Sequence, residues 1–136
     1  MKITKNLCRI SSLAFAFLLV LAFSSCSHKM VGVWDVQRYE TTAPGQQGTV
    51  LYNLGTMEFK RNGRGEKNLS YSVLGMDKKD QVPFQWTADE DKYISIESEG
   101  SEFSKIWIIM ENKRKSQKWK TTDGNSAVQI LELKKQ

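Results

Sequence analysis

Cysteine, histidine and proline are scarce in this chain, and each scarcity excludes something. The 136 residues hold two cysteines, one histidine and two prolines. Cys8 and Cys26 both precede the main body, so no internal disulfide can form there. The single histidine, His28, lies close behind Cys26. A Ser-His-Asp or Cys-His nucleophile system therefore cannot be built in the body, nor can a zinc site that relies on His and Cys. Asp89-Glu90-Asp91 lacks the ligand spacing of a calcium loop. Gly63-Arg64-Gly65 lacks the lysine and following helix of a phosphate loop. Spacing alone leaves paired carboxylates for glycoside hydrolysis open, but nothing points to them. No metal site and no cofactor are implied, and the chain is not expected to be an enzyme.

A strong charge of one sign is also missing from the body. The formal net charge of +5 comes largely from the N-terminal end, where Lys2, Lys5 and Arg9 stand without any acid. Those three leave 17 of the 20 basic residues facing 15 acids, a formal +2. A nucleic-acid partner is therefore not expected. Nor is there an apolar run long enough to span a bilayer, which takes about 20 residues as a helix. Residues 10–23 form an apolar run of 14 interrupted only by Ser11 and Ser12. Short, preceded by a basic start and followed by small residues, it reads as a secretory signal over 1–25. An uncleaved membrane anchor is the alternative reading of the same run.

Phe23-Ser24-Ser25-Cys26 resembles the lipobox of bacterial lipoproteins. That resemblance implies that the leader is removed and that Cys26 becomes an acylated N-terminus, palmitate being one such acyl group. Ser27, in place of an aspartate, implies outer-membrane sorting. The expected location is the envelope of a Gram-negative bacterium, on the periplasmic side. Residues 26–30 would be the lipidated tether and 31–136 the folded domain.

The body shows no sustained helical stripe. Period-2 alternation recurs instead, as in Met57/Phe59, Leu69/Tyr71/Val73, Val82/Phe84/Trp86 and Ile94/Ile96. Eight strands are expected, over 31–39, 56–61, 65–74, 82–87, 92–98, 103–111, 116–121 and 126–134. Asn62-Gly63 is a strong hairpin signal, and the connections after 87 and 111 are also tight. Longer loops are expected over 40–55 and 75–81, at the opposite end. Pro83 should interrupt a ladder and force a bulge or break. Eight consecutive antiparallel strands leave two edges exposed unless the sheet closes, so the fold class expected is all-β, an up-and-down barrel. A β-sandwich is the alternative that strand count and alternation do not separate.

Gly32-Val33-Trp34 at the start of the first strand of such a meander resembles the lipocalin motif. More closely, the chain is similar to the small lipocalin-like domains of bacterial lipoproteins. The residues that carry this are Cys26, Gly32/Trp34, Phe59 with Asn62-Gly63, and Phe84-Gln85-Trp86 before the acidic turn. The resemblance implies that Trp34 plugs the closed end beside a basic residue, Lys134 or Lys135. It also implies non-enzymatic binding of a small hydrophobic or amphipathic molecule.

A barrel of eight strands is just wide enough to be filled by side chains or to hold one small ligand. The candidate ligand-binding residues are Met57, Tyr71, Val73, Phe84, Ile96, Ile106 and Trp119, with Leu51, Tyr52 and Leu54 on the 40–55 loop as a flap. The aromatic load of Trp34, Phe59, Phe84, Trp86 and Trp119 points to a filled base with at most a shallow cup above it. Segment 103–111 is apolar on both faces. Its Trp107 and Ile109 are the candidate outer surface for an envelope protein partner, or for an enzyme that the protein inhibits. The basic turns, Lys60, Arg61 and Arg64 at one and Lys113, Arg114 and Lys115 at the other, fall at the closed end. That end is expected to face anionic headgroups.

Overall fold

Wherever apolar and polar residues alternate, the chain is a strand, because only a pleated backbone sends successive side chains to opposite faces. The computed structural model describes residues 29–89, 91–122 and 126–136. The leader, Cys26, His28, Glu90 and the Asp123-Gly124 turn lie outside the described residues. The strands are β1 (Gly32–Thr42), β2 (Thr49–Phe59), β3 (Arg64–Val73), β4 (Met76–Asp80), β5 (Phe84–Asp89), β6 (Tyr93–Glu97), β7 (Ile106–Asn112), β8 (Ser116–Thr122) and β9 (Val128–Lys135). Every pairing is antiparallel.

The sheet runs β2-β1-β9-β8-β7-β6-β5-β3-β4, and β2 also pairs with β3. That last pairing closes a barrel of eight strands, and β4 is an extra strand hung on the upper half of β3. The sandwich alternative is thereby excluded. Closure depends on Gly55, whose φ is +135°. A side chain there would put its Cβ 2.0 Å from the backbone oxygen of Asn68 on β3. β2 can cross β3 this closely only with no side chain at that point.

Two expected loops are mostly strand. The segment 40–55 is the top of a β1–β2 hairpin, and only 43–48 connects the strands. The segment 75–81 contains β4, joined to β3 by the two-residue turn Leu74-Gly75. Both turn residues have positive φ, +52° and +78°, as a primed hairpin turn requires. Leucine is a poor residue for that conformation, so the sequence carries no turn signal there. The Asn62-Gly63 turn forms as expected, with Gly63 at φ +80° and its N–H donating to the Lys60 carbonyl. Pro83 does break a ladder: β3 pairs with β4 above it and with β5 below it, and 81–83 belongs to neither.

The barrel interior is packed. Trp34, Met57, Phe59, Leu69, Phe84, Trp86, Ile94, Ile96, Trp107, Trp119, Leu131 and Leu133 form one buried cluster. Phe59 sits at its centre, edge-on to Phe84, Trp86 and Trp119 at 5.0, 5.5 and 6.0 Å between ring centroids.

Candidate binding site at the barrel mouth

The closed end is sealed by the first-strand tryptophan. Trp34 pairs with Lys135 across β1 and β9, and the Lys135 ammonium lies 5.6 Å from the indole centroid. The indole N–H donates to the Met30 carbonyl at 2.9 Å, and buried Met30 joins the cluster beneath it. Gly32 makes the seal possible. Its Cβ would stand 2.8 Å from Lys135 Cε, so an unsubstituted position lets the lysine arm lie down over the ring. Of the two lysines expected to cover Trp34, Lys135 does so.

Above the Phe59 cluster the 98–105 loop turns inward. Phe103 is fully buried, with its ring 5.2 Å from Tyr39 and 6.1 Å from Tyr71. Its carbonyl accepts the Trp107 indole N–H at 3.0 Å. Beside this ring cluster lies a cup of about 480 Å³, lined by Tyr39, Thr41, Thr49, Leu51, Val73, Glu102, Lys105 and Gln129. Lys105 donates to the Gln129 side chain within it. Burial pushes the Tyr71 hydroxyl up to about 12, and Glu102, Asp80 and Tyr39 add to the shift.

A buried polar cluster holds the loop down. Lys67 points into the barrel where β4 and β5 part. Its ammonium reaches both Asp80 carboxylate oxygens at 2.9 Å and Ser98 Oγ at 2.7 Å. Ser101 Oγ donates to the same carboxylate at 2.5 Å and accepts the Phe103 N–H at 3.1 Å. Ser98 Oγ in turn donates to the Pro83 carbonyl at 3.2 Å. Burial lowers the Lys67 pKa, and Asp80 opposes that shift. A chain of hydrogen bonds thus runs from the ladder break at Pro83 to the backbone of Phe103.

The structure redistributes the candidate residues. Leu51 and Val73 line the cup, and Tyr71 packs against Phe103 without lining it. Met57, Ile96 and Trp119 are buried in the core, as is Leu54, and Phe84 is buried too but borders a separate groove beside Val82 and Pro83, away from the cup. Tyr52 is not part of a flap. It lies on the outer face of β2, opposite Arg38, where its hydroxyl bonds the guanidinium and raises the Arg38 pKa. Segment 103–111 is turned over relative to expectation. Trp107 is fully buried and Ile109 half-buried, while Ile106, Ile108 and Met110 face solvent. Trp107 therefore offers no outer surface, and Ile106 does not face the mouth. Periodicity could not choose between two apolar faces. Pairing of Ile94 with Trp107 and the satisfied indole N–H decide it.

Six lining residues were missed. Tyr39 was read as the end of its strand, with Thr41 and Thr49 in the adjoining loop. Glu102 fell in a connection, Lys105 lies in segment 103–111 on the Trp107 and Ile109 side that was expected to face outward, and Gln129 lies on the 126–134 strand, to which no facing was assigned. The available signal was Phe103, four residues before Trp107 and next to the polar pair Glu102 and Lys105. Among the described residues no group of His, Cys, Asp and Glu is placed to hold a metal.

The chain is an all-β, closed barrel of eight antiparallel strands, sealed at one end by a first-strand tryptophan under a cation from the last strand, an arrangement similar to that of lipocalin-like barrels. No family model matches the chain, and no curated protein matches it. Among solved structures, the siderocalin Ex-FABP, described as functioning through dual ligand specificities, aligns with a TM-score of 0.46 at 11% identity. The alignment covers 79% of this chain and 74% of that one. The class assignment rests on the barrel closure and the sealed base, not on that likeness.

Proposed function

We propose that this protein is a lipid-anchored envelope binding protein, not an enzyme, that holds one small amphipathic molecule in the cup at its mouth. The observation that carries this is the cup itself. Its volume of about 480 Å³ falls in the range of small-molecule sites. Its walls set Leu51 and Val73 against Thr41, Thr49, Lys105 and Gln129, which suits a ligand with one apolar and one polar end. The packed cluster below excludes a ligand long enough to thread the barrel. The basic leader and Cys26 support export and acylation, with the tether joining the barrel at its closed end.

Native mass spectra of residues 27–136 test the binding step. The expected result is a bound mass, regained from envelope extract after stripping and lost in Val73→Asp. A clean apo mass that takes up nothing from extract would overturn it. Acylation is read separately from the mass of the full chain after expression in a Gram-negative host.

A further inference from the structure

The exposed apolar residues of the barrel wall are not scattered. Tyr93, Ile106, Ile108 and Met110 are 43, 63, 47 and 56% exposed. They share one outer face, because Tyr93 pairs with Ile108 across β6 and β7. The next strand continues that face with cations, Lys120 opposite Ile108 and Lys118 opposite Glu111. Ile130 lies beyond Lys120 on β9. A row of large apolar side chains of this kind on a barrel wall marks a contact surface.

The strip has a direction. At its lower end the β7–β8 turn exposes Lys113, Arg114 and Lys115. The Lys115 carbonyl accepts the Lys135 N–H at 2.8 Å. Lys135 Nζ donates to the carbonyl of Lys29, the first described residue. The 28 residues before Lys29, with the apolar run 10–23 and Cys26, therefore join the barrel beside this turn. The other basic turn, Lys60 to Arg64, lies across the barrel, four strands away in either direction. There Lys60 is already ion-paired with Glu66 at 3.2 Å.

We propose that the outer face of β6, β7 and β8 is a membrane-contact surface for anionic phospholipid. Ile106, Ile108 and Met110 enter the headgroup boundary, and Lys113, Arg114, Lys115 and Lys120 meet lipid phosphates. The chemistry fits this occupant: apolar side chains supply burial, and a flanking line of cations supplies attraction to negative headgroups. The attachment point of the N-terminal segment fits it too, since a tether at that corner brings this face to the bilayer. The barrel then lies on its side, with its mouth facing along the membrane instead of away from it.

The test uses residues 27–136, because the described core lies entirely within residues 30–133. Its outcome is thus independent of acylation at Cys26 and of what the mouth binds. Co-sedimentation compares phosphatidylcholine vesicles with vesicles that also contain phosphatidylglycerol. The protein is expected to prefer the anionic vesicles. Ile106→Ser with Ile108→Ser should weaken that binding about tenfold, on the scale of two partly buried isoleucines. Lys113→Glu with Lys115→Glu should remove the preference for anionic lipid. Leu74→Ser, at a still more exposed apolar residue by the mouth, should change nothing. Equal binding by the isoleucine pair and the native protein would overturn the proposal, as would no binding to either vesicle. A dimer in lipid-free sedimentation that the isoleucine pair dissolves would assign the face to a second copy and overturn it as well.

Discussion

Replacing Lys67 by methionine tests the buried cluster that fixes the mouth. The Lys67 side chain is 0% exposed and that of Asp80 is 9% exposed, so neither charge has water to fall back on. The substitution deletes the contacts to both carboxylate oxygens and to Ser98 Oγ. It leaves the Asp80 carboxylate with the Ser101 hydroxyl and the Val82 N–H. Stranding a buried charge in this way costs about 3–5 kcal/mol. Domains of this size have about 5–15 kcal/mol in total. With a urea m-value of about 2 kcal/mol/M, the midpoint should fall by roughly 2 M. Tryptophan fluorescence reports it, since Trp34, Trp86, Trp107 and Trp119 are all in the core. Asp80→Asn added to Lys67→Met should recover a large part of the loss, because no charge is then stranded. Lys60→Met is the control, since its exposed pair with Glu66 is worth about 0–1 kcal/mol. pH supplies a further check. Between the lowered Lys67 value and the ordinary 10.5, the unfolded chain holds a proton that the native state has released. Stability should rise with pH across that window, and Lys67→Met should abolish the rise. If Lys67→Met shifted the midpoint no more than Lys60→Met, the cluster would not hold the loop.

Tyr71 should behave in the opposite sense. With its hydroxyl raised from 10 to about 12, the native state keeps a proton the unfolded chain loses, so stability falls between those values. Tyr71→Phe should flatten that fall in alkaline urea titrations. Leu74→Asn should raise stability by about 0.5–1 kcal/mol, because asparagine accepts a φ of +52° more readily than leucine and no packing is lost. An unfolding midpoint at or below native would contradict this. Trp107→Ala should cost about 3–5 kcal/mol, and Ile108→Ser under about 0.5 kcal/mol. Equal losses by calorimetry would mean that the inward face of β7 is misassigned. Phe103→Ala should deepen the cup and let it take up a fluorescent apolar probe that the native protein excludes. Equal probe fluorescence in the two proteins would show that the Phe103 ring does not separate the cup from the space it fills.

Much of this protein follows from short-range sequence alone. Side-chain alternation is a local property of the backbone, so the strands were legible wherever one face is apolar and the other polar. The Asn62-Gly63 turn and the break at Pro83 were legible because each depends on one or two residues. The filled base followed from where the aromatics fall, and Trp34 at the closed end from the resemblance of Gly32-Val33-Trp34 to the lipocalin motif. Leu74-Gly75 was not legible, since a leucine at positive φ contradicts local preference and is tolerated because β3 and β4 pair on either side of it. The orientation of β7 was not legible either. Its two faces are nearly equal in apolar content, and only the register against Ile94 and the hydrogen bond to the Phe103 carbonyl turn Trp107 inward. The cup was the least legible part. Its lining comes from β1, β2, β3, the 98–105 loop and β9, which meet only when β2 closes on β3. Nothing in the sequence singles out Lys67 on β3 or Asp80 on β4. Tertiary structure buries them together, because the strands part there and leave a gap in the wall that a paired lysine and aspartate can fill.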